Sequence, residues 1–238
     1  MTPTILTPPP TSAPRRLPPG VAIIVPAYNE EETIADVVAA MRALRPAHLI
    51  VVDDGSRDRT AQISERAGAL VIRHPINRGA GGAIATGLAA AQRFGVTIAV
   101  TVDADGQHVA DDVLAVVAAV EAGEADLAIG ARTRSPGMPR TRRLANWIAN
   151  VLTFIVFGTW VTDSQSGLRA FSRAALERLR LRGSGFEVSS EIVGEIGRLD
   201  LRVREVPIRA IYTAYSMSKG QSFTNGLRTF GHMLLRRF

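Results

Sequence analysis

Between Val21 and Ile129 the chain alternates short apolar runs with longer stretches whose apolar residues recur every three to four positions. The runs are Val21 to Pro26, Leu49 to Val52, Ala69 to Arg73, Val96 to Val102 and Asp126 to Ile129, and their valine and isoleucine content predicts buried β-strands. Helical patterns fill the intervals. One runs on through Leu44, and one opens at Asp58 and Thr60 with Ser56 or Asp58 as its cap. An alanine-rich helix follows Gly82, and another covers Asp111 to Ala122. Strand, helix and strand joined by loops of a few residues predict an open, mostly parallel α/β sheet flanked by helices.

In such sheets ligands sit beyond the carboxyl ends of the strands. The polar signatures of this chain fall at those ends: Tyr28 to Glu30, Asp53 to Ser56, Gly79 to Gly82, and Asp103 to Gln107. The last of these interrupts an apolar run with oxygen-bearing side chains at every second position, so continued strand geometry would put Asp103, Asp105 and Gln107 on one face. Two carboxylates and an amide oxygen suit a hard cation such as Mg²⁺ or Mn²⁺, which commonly shares its coordination with substrate phosphates. A polar turn after a core strand is the alternative. A helix-loop-helix calcium site is excluded, because Leu114 stands where its closing glutamate belongs. Gly79, Gly81 and Gly82 match neither a dinucleotide fingerprint nor a P-loop, which leaves nucleotide contact and close helix packing both open.

Composition bounds the rest. The 238 residues, 46% of them hydrophobic, suffice for one large core. The absence of cysteine excludes disulfides and thiolate metal sites. A formal charge of +6 favours anionic partners. Of the 28 basic residues only Lys219 is lysine, so single arginines count only where a motif supports them. Nucleic acid is the least suitable partner, since no helix-turn-helix, zinc or RNA-binding motif appears and only 5% of residues are aromatic. Residues 1–20, rich in proline and threonine, read as a disordered tail without a secretory signal. The longest apolar stretch, Leu144 to Val161, is broken by Asn146, Asn150 and Gly158 and falls short of the ~20 residues a membrane span needs.

Taken together, Pro26-Ala27-Tyr28-Asn29-Glu30, Asp53-Asp54-Gly55-Ser56, Asn77-x-Gly79-x-Gly81 and Asp103-Ala104-Asp105-x-Gln107 resemble glycosyltransferase family 2, whose fold is the Rossmann-like GT-A. Gly130-Ala131-Arg132, Asp163 to Arg169, Glu205 to Ile208 and Tyr215 to Lys219 look most like its dolichyl-phosphate mannosyltransferase and polyprenyl-phosphate glycosyltransferase branch. The resemblance implies that Pro26, Tyr28 and Glu30 hold the base and ribose of a nucleotide-sugar donor, with Val52 and Asp54 in the same pocket. It implies that Asp103, Ala104 and Asp105 approach the ribose and diphosphate, with Asp105 and Gln107 as ligands of Mg²⁺ or Mn²⁺. Arg132, Val188 and Lys219 would lie on the donor or on the acceptor phosphate, and Arg142 and Asn146 on the lipid phosphate. Six residues before Lys219 the mannosyltransferases carry an arginine. Here it is Thr213, which argues against GDP-mannose as donor and leaves Arg209 as the substitute.

Phe223, Leu227, Phe230, Leu234 and Phe238 form one face of an expected C-terminal amphipathic helix, with Arg228, Arg236 and Arg237 off it. That segment, 216–238, and Leu144 to Phe157 suit either a bilayer interface or docking on the core. The expected organisation is a tail (1–20), a GT-A domain (21–215) and a basic amphipathic end (216–238). The expected activity is inverting transfer of a sugar from a nucleoside diphosphate, of GDP-mannose or UDP-glucose type, to polyprenyl or dolichyl phosphate. The place of action would be the cytoplasmic face of a membrane, alone or with a membrane-protein partner. Asp163 would be a catalytic or positioning residue. If the acceptor were instead a sugar, polysaccharide or small-molecule hydroxyl, Asp163 or Glu187 would have to act as base.

Overall fold

The computed structural model describes residues 16–132, 140–181 and 188–209. The packed chain begins before the boundary expected at Gly20: Leu17 is buried and its N–H bonds Leu44 O at 2.9 Å. The central strand is β1 (Val21–Ala27), and its residue parity divides the interior in two. Val21, Ile23, Val25 and Ala27 pack into one core, while Ala22 and Ile24 point into a second core across the sheet.

The first core is closed by α1 (Ile34–Ala43), which buries Ile34, Val37, Val38 and Met41, and by α4 (Ala110–Glu121), which buries Val113, Val116, Val117 and Val120. Both sets follow the helical stripe at i, i+3, i+4 and i+7. The second core is closed by α3 (Ala80–Arg93), α6 (Arg173–Arg178) and α7 (Val188–Arg198).

β2 (His48–Asp53) and β3 (Leu70–Arg73) run parallel to β1 on one side, with α2 (Thr60–Arg66) between them in sequence; β4 (Ile98–Thr101) pairs β1 on the other. The chain therefore reverses its direction of travel across the sheet at the β1/β4 boundary, where α/β sheets open a ligand crevice. Pro26 lies beyond Ile24, the last β1 residue paired with β4, so its missing N–H costs no ladder bond on that side.

Beyond β4 the sheet is mixed. β5 (Leu127–Ala131) does not pair β4; the four-residue β6 (Arg169–Ser172) lies between them, antiparallel to both, and β7 (Val203–Pro207) closes the edge parallel to β5. The order is β3-β2-β1-β4-β6-β5-β7. This insertion sets Arg169 opposite Thr101, under the end of β4. The broken apolar stretch is α5 (Arg140–Phe157), ended by Gly158 at φ 74°, a helix-terminating glycine whose N–H bonds Phe154 O. The expected segment 216–238 lies outside the described residues.

Candidate active site at the strand ends

The loops after β1 and β2 are fastened to each other. Asn29, in the left-handed region at φ 53°, donates its N–H to Ser56 Oγ and receives the N–H of Arg57 on its side-chain oxygen, both at 2.9 Å. Glu30 N–H bonds Thr60 Oγ1 at 2.8 Å. Neither expected cap takes the N-cap position of α2, which is Arg59 without a side-chain cap bond; Asp58 accepts from Thr60 N at 3.0 Å from the residue before it, and Ser56 is engaged with Asn29. Pro26 and Val52 stand side by side in register, and Tyr28 projects beyond them, 41% exposed. Thr33 ties this wall to the next, since its hydroxyl reaches Ala104 O at 2.8 Å and Glu30 Oε2 at 3.2 Å.

Asp54 is 2% exposed, and its Oδ1 accepts from His74 Nδ1 at 2.6 Å and Arg78 N at 2.9 Å. His74 in turn meets Thr86 Oγ1 through Nε2 at 3.0 Å. The carboxylate thus pins the glycine-containing loop to the sheet. Gly79 enters α3 at φ 82°, which other residues rarely adopt, and Gly82 sits against the Arg78 side chain with no room for a Cβ, so backbone conformation accounts for the first position and close packing for the second.

At the end of β4 the expectation of one shared face is revised. The strand stops at Thr101 and the chain turns through Gly106 at φ 75°, so alternation no longer applies. Asp105 and Gln107 do converge: Gln107 donates to Asp105 from its N–H at 3.1 Å and from its side-chain amide at 2.5 Å. Asp103 turns instead to His108, whose Nε2 lies 3.3 Å from Oδ2, and it rests directly on the backbone of Gly167, where a Cβ would coincide with the carboxylate. Gly167 is held there by Thr101, whose hydroxyl bonds its carbonyl at 2.8 Å.

The two carboxylates differ electrostatically. Burial pushes Asp103 up, but its hydrogen bond and attraction to His108, with the charges of Arg132 and Arg169, outweigh this and hold it below the usual range. Burial and then the neighbouring Asp103 charge push Asp105 up, with Glu30 adding to the rise. The Gln107 N–H bond and the attraction of His108 offset only part of that rise. Turning the Gln107 amide over would set its oxygen beside that carboxylate.

On the far wall Arg132, next after β5, is gripped by Asp163. Its N–H and Nε bond Asp163 Oδ2 at 3.0 and 2.8 Å, and its Nη2 bonds Oδ1 at 2.8 Å. Beneath them Arg169 is 1% exposed, with Nη2 on Ser164 O at 2.7 Å and on Ser189 O at 3.4 Å. Burial lowers its pKa to about 10 against the attraction of Asp103 and Asp163.

The remaining expected residues are spread around this wall. Asn146 shares a face of α5 with Asn150, one turn on, which bonds the 162–164 turn. Arg209 follows β7, beside the end of β5, and its N–H bonds Asp112 Oδ1 at 3.3 Å. Val188 opens α7 with its side chain buried in the second core. Lys219, Thr213, Glu187 and the Arg142 side chain lie outside the described residues. Thr33, His74, Gly167, Arg169 and Glu205 were assigned no role from sequence. His74 was within reach, because it directly follows β3 at the ligand end of the sheet.

Residues 22–180 match the model of glycosyl transferase family 2. The chain belongs to that family. Among curated relatives of this glycosyltransferase, a UDP-N-acetylglucosamine–dolichyl-phosphate N-acetylglucosaminyltransferase from Methanococcus voltae is 37% identical over 238 residues, covering 90% of this chain and 95% of its own. An undecaprenyl-phosphate mannosyltransferase from Micrococcus luteus is 31% identical over 215 residues, covering 84% and 86%. Among solved structures, glucosyl-3-phosphoglycerate synthase from Mycobacterium tuberculosis, in complex with Mn²⁺, UDP and glucosyl-3-phosphoglycerate, superposes with a TM-score of 0.73 at 24% identity over 92% of this chain and 80% of its own. The fold is GT-A, as the strand-end motifs imply.

Proposed function

We propose that this glycosyltransferase moves a sugar from a UDP-sugar to the phosphate of a polyprenol at a membrane surface. The observation that carries the acceptor is the pairing of Asp163 with Arg132. Both carboxylate oxygens of Asp163 accept from Arg132, so of the two expected candidate bases the one within the described residues is committed to holding a cation. A hydroxyl acceptor needs its proton removed. A phosphate monoester has its second pKa near 6 and is already a nucleophile at neutral pH, so it suits a site whose carboxylate orients an arginine.

Attack of the phosphate oxygen at the anomeric carbon forms the new C–O bond as the bond to the nucleoside diphosphate breaks, and it inverts the configuration. Pro26, Tyr28, Glu30 and Val52 border the space for the nucleoside, while Arg132 presents a fixed positive charge to phosphate oxygens. Asp105 and Gln107 are the residues that would hold Mg²⁺ or Mn²⁺, an ion that would neutralise charge on the departing diphosphate. A carboxylate whose charge is penalised by burial and by Asp103 fits such an ion. A UDP-sugar donor is supported by Thr213, where the mannosyltransferases have arginine, and by the dolichyl-phosphate N-acetylglucosaminyltransferase relative. The first donor to try is UDP-N-acetylglucosamine.

The test is transfer of labelled sugar from UDP-N-acetylglucosamine, UDP-glucose and GDP-mannose to undecaprenyl and dolichyl phosphates in detergent, with Mn²⁺, Mg²⁺ or EDTA. A chloroform-extractable product from a UDP-sugar that disappears with EDTA is expected. Nucleotide binding with transfer only to hydroxyl acceptors would overturn the reading.

The membrane surface is supported by α5. Leu144, Trp147, Phe154 and Ile155 fall on one face and are 59%, 57%, 46% and 64% exposed. Trp160 continues this apolar face with its ring edge-to-face on Phe154 at 5.7 Å. Asn150, on the flank of that face, is bonded to the 162–164 turn, and Thr153, on the side away from it, is bonded to Ser190 of α7. No helix among the described residues is long and apolar enough to cross a membrane. A helix so arranged lies in the headgroup layer, with Arg140, Arg142 and Arg143 in its first turn suited to anionic lipid. The protein is expected to float with vesicles containing phosphatidylglycerol, and Trp147→Ser with Ile155→Ser is expected to reduce that binding at least about tenfold. Equal flotation of the double variant would remove α5 from the interface.

A further inference from the structure

We infer that Glu205 is a positioning residue for Arg132, acting through the Thr162–Asp163 turn; this rests on the reading of Arg132 as a phosphate ligand. Glu205 is on β7, opposite Ile129 of β5, and its side chain reaches over the β5 end to the loop that returns from α5. A single oxygen, Oε1, accepts three hydrogen bonds there: Thr162 N–H at 2.7 Å, Thr162 Oγ1 at 2.8 Å and Asp163 N–H at 3.1 Å. Bonds to an ionised acceptor are the stronger kind.

Those bonds complete a full set. The turn lies outside any helix or strand, so its backbone groups need partners from elsewhere. Thr162 O accepts from Asn150 Nδ2, Ser164 N–H bonds Asn150 Oδ1, Asp163 O faces Ser166 N–H, and Ser164 O takes Arg169 Nη2. The N–H groups of Thr162 and Asp163 are served by Glu205. Asp163 therefore has its backbone held from below by β7 while both side-chain oxygens grip Arg132. Without Glu205 two N–H groups are left to water, the turn gains freedom, and that freedom passes to the guanidinium. Arg132 sits where small displacements matter, since misplacement by about 1 Å costs on the order of a hundredfold in rate.

A clip serving stability alone would show the same bonds, so the test must read the coupling. Transfer from UDP-N-acetylglucosamine, or whichever UDP-sugar proves active, to undecaprenyl phosphate is measured for Glu205→Ala, Arg132→Ala and the double variant. Glu205→Ala is expected to lower kcat/KM roughly 10–100-fold. In the Arg132→Ala background the same change is expected to cost less than about twofold, because its route to the substrate is already gone. Both single variants are expected to move the same parameter, either the KM for undecaprenyl phosphate or that for the donor. Glu205→Gln keeps an oxygen whose two lone pairs can accept from the Thr162 and Asp163 N–H groups, and it is expected to restore activity to within about threefold of wild type. If Glu205→Ala does not fold, Glu205→Asp, which withdraws the carboxylate by one methylene, is read in the same cycle. Losses that multiply in the double variant would overturn the inference, as would a Glu205→Gln no better than Glu205→Ala. Wild-type transfer by Arg132→Ala would instead overturn the reading of the site on which it rests.

Discussion

Asp105→Asn is expected to cut sugar transfer by about a hundredfold to a thousandfold, on the order of 3–4 kcal/mol of transition-state stabilisation, while leaving the melting temperature unchanged or higher. The two halves have one cause. Asp105 is held above its ordinary range first by burial and then by the nearby Asp103 charge, so its ionised form is penalised in the folded protein. A carboxyl raised on folding subtracts stability above its folded value and ceases to do so once it is protonated, and asparagine makes that neutral state permanent. The amide fills the same space and can still accept the Gln107 N–H. What it lacks is the charge that would hold a divalent cation against a diphosphate. Calorimetry supplies the check: Mn²⁺ is expected to strengthen UDP binding to the wild type and to leave Asp105→Asn unaffected. A folded variant that keeps its Mn²⁺ response would remove Asp105 from the metal site, and a lowered melting temperature would overturn the stability half. Polar groups that serve function at a cost to stability are a common feature of active sites.

Much of the fold was legible because the first half of the chain obeys local rules. Strands buried on both faces must be apolar throughout, and Val21 to Val25 and Leu49 to Val52 are. The helices that cover them carry one apolar stripe each, as Val113, Val116, Val117 and Val120 do. Past Ala131 the rules thin out. β6 is only Arg-Ala-Phe-Ser, too short for any period, and its place between β4 and β5 depends on pairings that cross some 70 residues of chain. α5 read as an apolar stretch broken by Asn146, Asn150 and Gly158. Asn150 interrupts the pattern because it bonds the 162–164 turn, and Thr153 bonds Ser190 of α7, while Leu144, Trp147, Phe154 and Ile155 are exposed. An inverted helix of this kind looks defective until its surroundings are known.

The site divides in the same way. Residues following β1, β2 and β4 announce themselves, since a polar cluster directly after a buried strand in an α/β sheet lies at the ligand edge. Partnerships across the crevice do not. Arg132 and Asp163 are 31 residues apart, and Glu205 is 42 residues beyond Asp163. The motifs that contain them mark importance without saying which residue grips which. Arg169 is the extreme case: it is placed by an antiparallel strand that no local pattern reveals, and its buried charge then helps to decide how Asp103 ionises.

Gly167→Ala is the sharpest test of how that crevice is assembled. The glycine is not in the left-handed region, so alanine meets no backbone obstacle, and the new methyl would coincide with the Asp103 carboxylate. Overpacking of this kind costs about 1–3 kcal/mol when the neighbours are fixed. Here the obstructing atoms are the end of a rotatable side chain, which can swing aside at the lower end of that range. The protein is therefore expected to fold with a melting temperature only a few degrees down, at roughly 2–4 °C per kcal/mol for a chain of this size. Activity is expected to fall about a hundredfold, since Asp103 would leave His108 and the edge of the metal site. The route is checked by combining the change with Asp103→Ala. Once the carboxylate is gone the methyl has room, so the double variant is expected to match Asp103→Ala alone within about twofold. A double variant much worse than Asp103→Ala would mean that Gly167 acts through its own backbone, by the carbonyl that Thr101 holds, and that the contact with Asp103 is incidental.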